Sequence, residues 1–183
     1  EMFRNCVKLK KINLKNINTE KVENMSKLFS ECFSLSSLDI SNFNTKEVNN
    51  MYLMFDSTNL TSLDLSHFNT SNVIRMNGMF YGNANLKYLN VKNFNTHKVR
   101  YMNAMFRNCE KLTNLDVGHF NTNNVENFLY MFNNCTSLTS LNLKSFNTSN
   151  AINIGGMFEG MTSIKSLDLS NFNTNKVKNM WGM

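Results

Sequence analysis

The chain has 183 residues, with 19 Lys and Arg against 13 Asp and Glu and a formal net charge of +6. A hydrophobic content of 42% excludes a disordered chain, and no apolar run approaches the ~20 residues that span a bilayer. The basic residues are spread along the chain, which reads as a mild surface bias ahead of a polyanion site. There is no Pro and there are only seven Gly, so the turns must rest on Asn, Asp and Ser bonding to their own backbone.

Units of one repeat begin at Leu9, Leu35, Leu60, Leu86, Leu112, Leu138 and Ile164, spaced by 26 residues except for a 25-residue second unit. Residues 1–8 read as the tail of a preceding unit, and residues 1–183 as a single array, a segment of a longer one. No secretory leader is visible. In such arrays each unit contacts only its neighbours, and a period in this range belongs with leucine-rich repeats.

Each unit opens on Leu-x-x-Leu-x-Leu, as in Leu60, Leu63 and Leu65. This alternation predicts a short strand that pairs in parallel with its neighbours, ~4.7–4.9 Å away. A triplet follows, Phe-Asn-Thr, at Phe43, Phe68, Phe94, Phe120, Phe146 and Phe172, with Ile17-Asn18-Thr19 before them. It breaks the strand parity, so the chain bends there. The triplet's Phe is expected to stack as a spine in the core, while Asn and Thr hold the backbone freed at the bend. A functional Thr file is the weaker alternative. The unit closes on Thr-x-x-Val-x-x-Met-x-x-Met-Phe, as in Thr70, Val73, Met76, Met79 and Phe80. Apolar residues at i, i+3, i+6 and i+7 predict a short helix or 3₁₀ segment capped by the Asn or Thr. The expected fold is an α/β solenoid, a leucine-rich-repeat-like right-handed coil. Its parallel sheet lies on one face and short helices on the other.

The full line, Leu-x-x-Leu-Asp-Leu-Ser-x-Phe-Asn-Thr-x-x-Val-x-x-Met-x-x-Met-Phe-x-x-Cys, resembles the BspA-type leucine-rich repeat surface proteins, in the bacterial and mollicute branch of unknown function. The resemblance covers the whole chain and is best over residues 35–56, 60–80, 112–135 and 164–180. It implies an extracellular or cell-surface location, adhesion or host-protein binding, and a membrane or wall anchor that this segment does not carry. Ile17, Phe128, Ile154 and Ala151 depart from the line but remain apolar.

The methionines read as core filling. Cys6, Cys32, Cys109 and Cys135 share one repeat position. Counterparts ~5 Å apart fall inside the disulfide window, but parallel side chains favour free thiols over bridges. Their separation into two distant pairs argues against zinc. His67 and His119, two repeats apart, read as surface residues. No metal, cofactor or catalytic constellation is expected.

Candidate ligand contacts on the sheet face are Asp39, Asp64, Lys87, Tyr88, Asn90, Asp116, Asn142 and Asp168, where a hydrogen-bonded ladder is the plainer reading. On the helix side, Tyr52, Leu53, Leu129, Tyr130 and Trp181 break a polar pattern and mark either a contact patch or local gap filling. The expected function is a non-enzymatic module that binds a protein or glycan. No specific nucleic acid is expected, and a membrane only through the missing anchor. A structural spacer and a polyanion-binding array are the alternatives. Apolar core at Met2-Phe3 and Met180-Trp181 is expected to favour end-to-end self-association.

Overall fold

The computed structural model describes residues 1–183. Its named strands are short: β1 (Lys11–Ile12), β2 (Ser37–Leu38), β3 (Ser62–Asp64) and β4 (Tyr88–Asn90). They pair in parallel as β1 with β2 and β3 with β4, each residue beside its counterpart in the next unit. From Leu112 onward the same apolar line forms no named strand, so the predicted continuous sheet is reduced to two short pairs. The strands end early for a local reason. The Asn or Asp that closes each one turns its side chain onto the N–H two residues on, as Asp64 Oδ1 does at 2.8 Å from Ser66 N, and this Asx turn bends the chain.

The dense backbone ladder lies elsewhere, and it corrects the predicted helices, which are absent. In the Met-x-x-Met-Phe segment, alternate amides reach the next unit instead of turning back four residues. Met51, Leu53, Phe55 and Ser57 donate to the carbonyls of Arg75, Asn77, Met79 and Tyr81 at 2.7–3.1 Å. Between them, Met54 donates to Met51 O and Asp56 to Leu53 O, at 3.2 and 3.3 Å. The third residue of such turns has positive φ, as at Leu53 (51°) and Gly78 (63°), the disposition a type II turn requires. Tandem four-residue turns point every third or fourth side chain inward, which is why the apolar spacing imitates a helix. Next to this segment, one-residue parallel bridges run from Asn24 through Asn50, Arg75, Tyr101, Asn127 and Asn153 to Asn179.

One apolar cluster runs through the stack. The methionines at Met25, Met51, Met76, Met102 and Met131 are buried in it, as predicted for a side chain that fits irregular gaps. Of the departures from the repeat line, Phe128, Ile154 and Ala151 are fully buried as well, whereas Ile17 is 38% exposed and does not enter the core. The aromatic spine, however, belongs to a different residue than the sequence suggests. Phe3, Phe29, Phe55, Phe80, Phe106, Phe132 and Phe158 stack with centroids 5.6–6.0 Å apart and planes within 12°. These phenylalanines follow the second Met, or Leu28 in the case of Phe29, where the backbone ladder sets the register of successive units. The triplet's Phe is buried from Phe43 to Phe146 and half-buried at Phe172, but Phe94 and Phe120 stack at 6.5 Å while Phe146 meets Phe128 and Phe132 at a tilt. Each buried ring contributes roughly 1.5–3 kcal/mol by leaving water.

The rest of the triplet clamps one unit to the next. Thr45 Oγ1 donates to Asn69 O at 2.9 Å and accepts from Asn69 N at 2.8 Å. The same double bond joins Thr19 to Asn44, Thr70 to Asn95, Thr122 to Asn147 and Thr148 to Asn173. The threonines are buried, and a buried hydroxyl needs these partners. Each triplet Asn meanwhile accepts from the N–H two residues on, at 2.9–3.3 Å.

One further position ties neighbouring units together just before the triplet. Asn42, Asn93 and Asn171 donate to carbonyls of the preceding unit. His67 and His119, both exposed, place Nε2 on the carbonyls of Ile40 and Val91 in the same way. Ser145 is too short to reach, and its buried Oγ has no partner. Ser145→Asn should supply the missing donor and raise stability by about 1 kcal/mol, or roughly 2–4 °C in Tm for a chain of this size. A calorimetric scan of the variant beside the parent checks this.

Candidate functional site

The sheet-face file predicted from sequence sits at the strand ends. Asn13, Asp39, Asp64, Asn90, Asp116, Asn142 and Asp168 each turn Oδ1 onto the N–H two residues on, at 2.8–3.2 Å. The file therefore holds the turns that end the strands, while the carboxylates remain exposed. The Ser41 and Ser66 amides hold the carboxyls of Asp39 and Asp64 below the usual range, and the Ser170 hydroxyl does so for Asp168. Asp39 and Asp64 share a hollow of about 470 Å³ with Ser62 and His67. A second hollow of about 400 Å³ lies beside Asn13, Lys15 and Asp39. Lys87 and Tyr88 are exposed, Tyr88 by 52%, but line neither hollow, and Asn90, Asp116, Asn142 and Asp168 also lie outside both.

Asp39 and Asp64 are exceptional in one respect. Wherever counterpart positions of successive units both carry charge, the charges are opposite, at Glu1/Lys27, Glu20/Lys46, Lys21/Glu47 and Arg100/Glu126. Asp39/Asp64 breaks that rule. Like charges at directly neighbouring positions in parallel units repel, and here the amides and hydroxyls of Ser41 and Ser66 offset this, with Asn90 and Lys92 beside Asp64.

The predicted contacts on the turn side prove to be fillers in part. Leu53 leans over Gly78, where an added Cβ would lie 2.4 Å from Leu53 Cδ2. Tyr130 covers Gly156 in the same manner, at 2.6 Å, and meets Trp181 edge-on at 5.4 Å. Arg107 lies 4.2 Å over the Tyr130 ring. Tyr52, Leu53, Leu129 and Tyr130 are half-buried, and Trp181 is 51% exposed. Tyr52 and Leu53 also border a shallow hollow of about 220 Å³.

A larger concavity lies on the bridge side, and the sequence reading missed it. A groove of about 690 Å³ crosses successive units between the row Ile74, Arg100, Glu126, Ile152 and the row Lys98, Asn124, Asn150, Lys176. Arg100 is paired to Glu126, with Nε 3.0 Å from Oε1. Lys98 Nζ and Lys176 Nζ reach the side-chain carbonyls of Asn72 and Asn150, at 2.8 and 2.7 Å. A sequence signal did exist. The first row continues Glu23, Asn49, Ile74, Arg100, Glu126, Ile152, Lys178 and never repeats a residue type in succession, beside a bridge row that is mostly Asn.

The cysteine position is structural. The thiols are free, and Cys32, Cys109 and Cys135 donate to the carbonyls of Phe3, Phe80 and Phe106, one unit back, at 3.1–3.2 Å. Asn83, at the same repeat position, donates to Phe55 O at 2.7 Å. Burial raises the Cys32 thiol, pushes Cys135 up to about 12 and lifts Cys109 well above its ordinary value. Asp56 is a lone buried carboxyl that accepts from Ser30 Oγ and Ser57 Oγ, both at 2.8 Å. Burial raises its pKa against those two bonds. No group of three or more His, Cys, Asp or Glu is placed to hold a metal ion, and no helix is long and apolar enough to cross a membrane.

These features define a stacked repeat protein in which nearly every recurring polar residue serves the contact between units. The family model described as "Mycoplasma protein of unknown function, DUF285" matches residues 1–88 and again residues 79–183. The chain belongs to that family, in keeping with the BspA-type resemblance of its repeat line. No curated protein matches the chain. A crystal structure of a leucine-rich repeat protein from Bacteroides ovatus ATCC 8483 is similar with a TM-score of 0.42 and 14% identity, over 98% of this chain and 58% of that one. The chain thus spans a little over half the length of that protein.

Two predictions follow from the buried polar groups. A water-soluble maleimide at pH 7 should modify half-buried Cys6 first and leave Cys32, Cys109 and Cys135 at least about a hundredfold slower until the chain is denatured, as peptide mass mapping would read. Asp56→Asn should stabilise the protein at neutral pH. With the folded pKa above the unfolded one, the folded chain binds the extra proton between those two values, so the wild-type penalty is complete above the folded pKa and fades as pH falls. The Tm advantage of the variant should therefore be largest near pH 7 and vanish toward pH 3.8, in paired melts across that range.

Proposed function

We propose that the chain is a non-enzymatic binding and adhesion module, displayed at the cell surface, which winds as a right-handed solenoid and holds a protein or glycan on its strand face. The observation that carries this reading is the Asp39/Asp64 hollow, where the rule against like charges in successive units is broken at an exposed concavity. Two carboxylates held ionised by turn amides accept hydrogen bonds from ammonium, guanidinium or hydroxyl groups of a ligand, and they do so beside Ser62 and His67. A non-enzymatic role is supported by the occupation of the obvious nucleophiles and bases. The buried thiols are protonated, and both strand-end histidines are bonded to backbone carbonyls. A spacer role is favoured by a different observation, namely that the whole Asn/Asp file already has a turn to hold.

Substitutions borrowed from other units separate the two. Asp39→Asn and Asp64→Asn keep the turn oxygen and remove the charge, while Lys87→Thr and Tyr88→Ser copy Thr61 and Ser62. On an array of purified glycans and extracellular matrix glycoproteins, the parent should bind at least one component. The fourfold variant should bind it about tenfold or more weakly with Tm no lower than the parent's. No binding by the parent would favour the spacer, and full binding by the variant would exclude the strand face.

A further inference from the structure

The bridge-side groove, at about 690 Å³, is larger than either strand-face hollow, and none of the strand-face residues contributes to it. We infer that it is a separate docking site for an extended acidic segment of a partner protein, lying along the stack from Ile74 to Ile152. This inference does not rest on the strand-face reading.

Charge selects the ligand's sign. Lys98, Arg100 and Lys176 against Glu126 leave the groove with three positive charges less one negative, a net +2. Each Lys side-chain bond uses one ammonium N–H and leaves two donors for a ligand. Arg100 bonds Glu126 through Nε and Nη2 and keeps further guanidinium donors. Such an arrangement attracts carboxylates and speeds their encounter.

Apolar contacts select a peptide over an anionic polysaccharide. Ile74 and Ile152 are 41% and 45% exposed, one at each end of the polar row. They lie three units apart, which at ~4.8 Å per parallel step is roughly 14 Å. An extended chain advances ~3.4 Å per residue and returns to the same face every second residue, so side chains four residues apart match the two isoleucines. A sulfated or uronic polysaccharide has no apolar group for the isoleucines. The backbone beneath is already paired, through Arg100 N to Ile74 O, Glu126 N to Arg100 O and Ile152 N to Glu126 O at 2.8–3.0 Å. Recognition is therefore by side chains and not by strand addition.

A phage-displayed library of random 12-residue peptides, panned on the intact 183-residue chain, tests this. Enriched peptides should be acidic, with aliphatic residues four apart. As synthetic peptides they should bind Lys98→Glu/Lys176→Glu about tenfold or more weakly than the parent, and Ile74→Ser/Ile152→Ser several-fold more weakly. Affinity should fall as salt rises from about 50 to 300 mM. Asp39→Asn/Asp64→Asn should bind them like the parent, which separates this site from the strand face. All of these positions are solvent-facing, and unchanged Tm values verify the fold. Enrichment of neutral or basic peptides, no enrichment, or equal binding to the charge-reversed variant would overturn the proposal. Heparin binding that depends on Lys98 and Lys176, with no peptide competing, would do so as well, in favour of a polysaccharide.

Discussion

Each residue of this protein lies beside its own counterpart from the next unit, and that constraint governs the rest. A side chain that recurs must be compatible with a copy of itself ~5 Å away. Phe29, Phe55 and Phe80 meet the condition by stacking nearly flat. Thr45 and Thr70 meet it by bonding to the following backbone and not to one another. Charged residues recur in this way at Asp39 and Asp64 alone, while Arg100 is followed by Glu126 and Lys21 by Glu47. Asn recurs most freely because its Oδ1 serves its own turn while its amide group is left to face the neighbour. The lack of Pro has the same origin. A prolyl residue donates no N–H, and the ladder from Met51 to Ser57 uses alternate amides to hold the next unit.

Much of this was legible in the sequence. The buried methionines, the free thiols and the bend at Phe-Asn-Thr follow from spacing, because a strict period forces equal environments on equal positions. The turn segment was not legible. An apolar pattern of i, i+3, i+6 and i+7 is shared by a helix and by tandem type II turns, and what separates them is the direction of the N–H groups. The positive-φ residues held the remaining hint. Gly78, Gly82, Gly156 and Gly160 alternate at two fixed positions with Leu53, Ser57, Tyr130 and Asn134. A regular helix has no place for glycine at a four-residue interval. Leu53 and Tyr130 at these positions obscured the signal, since a bulky side chain with positive φ is rare.

The surfaces were read unevenly for a related reason. Asp39 and Asp64 were identified because strand alternation says which way a side chain points. The groove residues Ile74, Arg100, Glu126 and Ile152 were missed because their segment was taken for a helix, on which residues two apart such as Lys98 and Arg100 do not share a face. The turn from Thr96 to Val99 and the one-residue bridge after it bring the two rows to one groove. The cysteines illustrate the opposite case. Their position seemed to concern sulfur chemistry, but Asn83 makes the equivalent bond to Phe55 O. The requirement there is a donor directed at the preceding unit, and Cys, raised in pKa and kept protonated, satisfies it.

A division of labour between positions follows from the stacking. Positions that bond to the neighbouring unit cannot change freely, and at Ser145 the shorter side chain leaves its own buried hydroxyl without a partner. Residue type varies along the stack where the side chain holds no backbone group of the neighbouring unit, and the proposed sites are drawn from such positions. The row through Ile74 and Ile152 is one such set, and the strand-face row through Tyr88 is another. Asp39 and Asp64 belong to both worlds, since each uses one carboxylate oxygen for its turn and leaves the other free. Replacing either by Asn would keep the turn and relieve the repulsion. The presence of two acids there, in an array that elsewhere places opposite charges together, is the observation on which the proposed strand-face site rests.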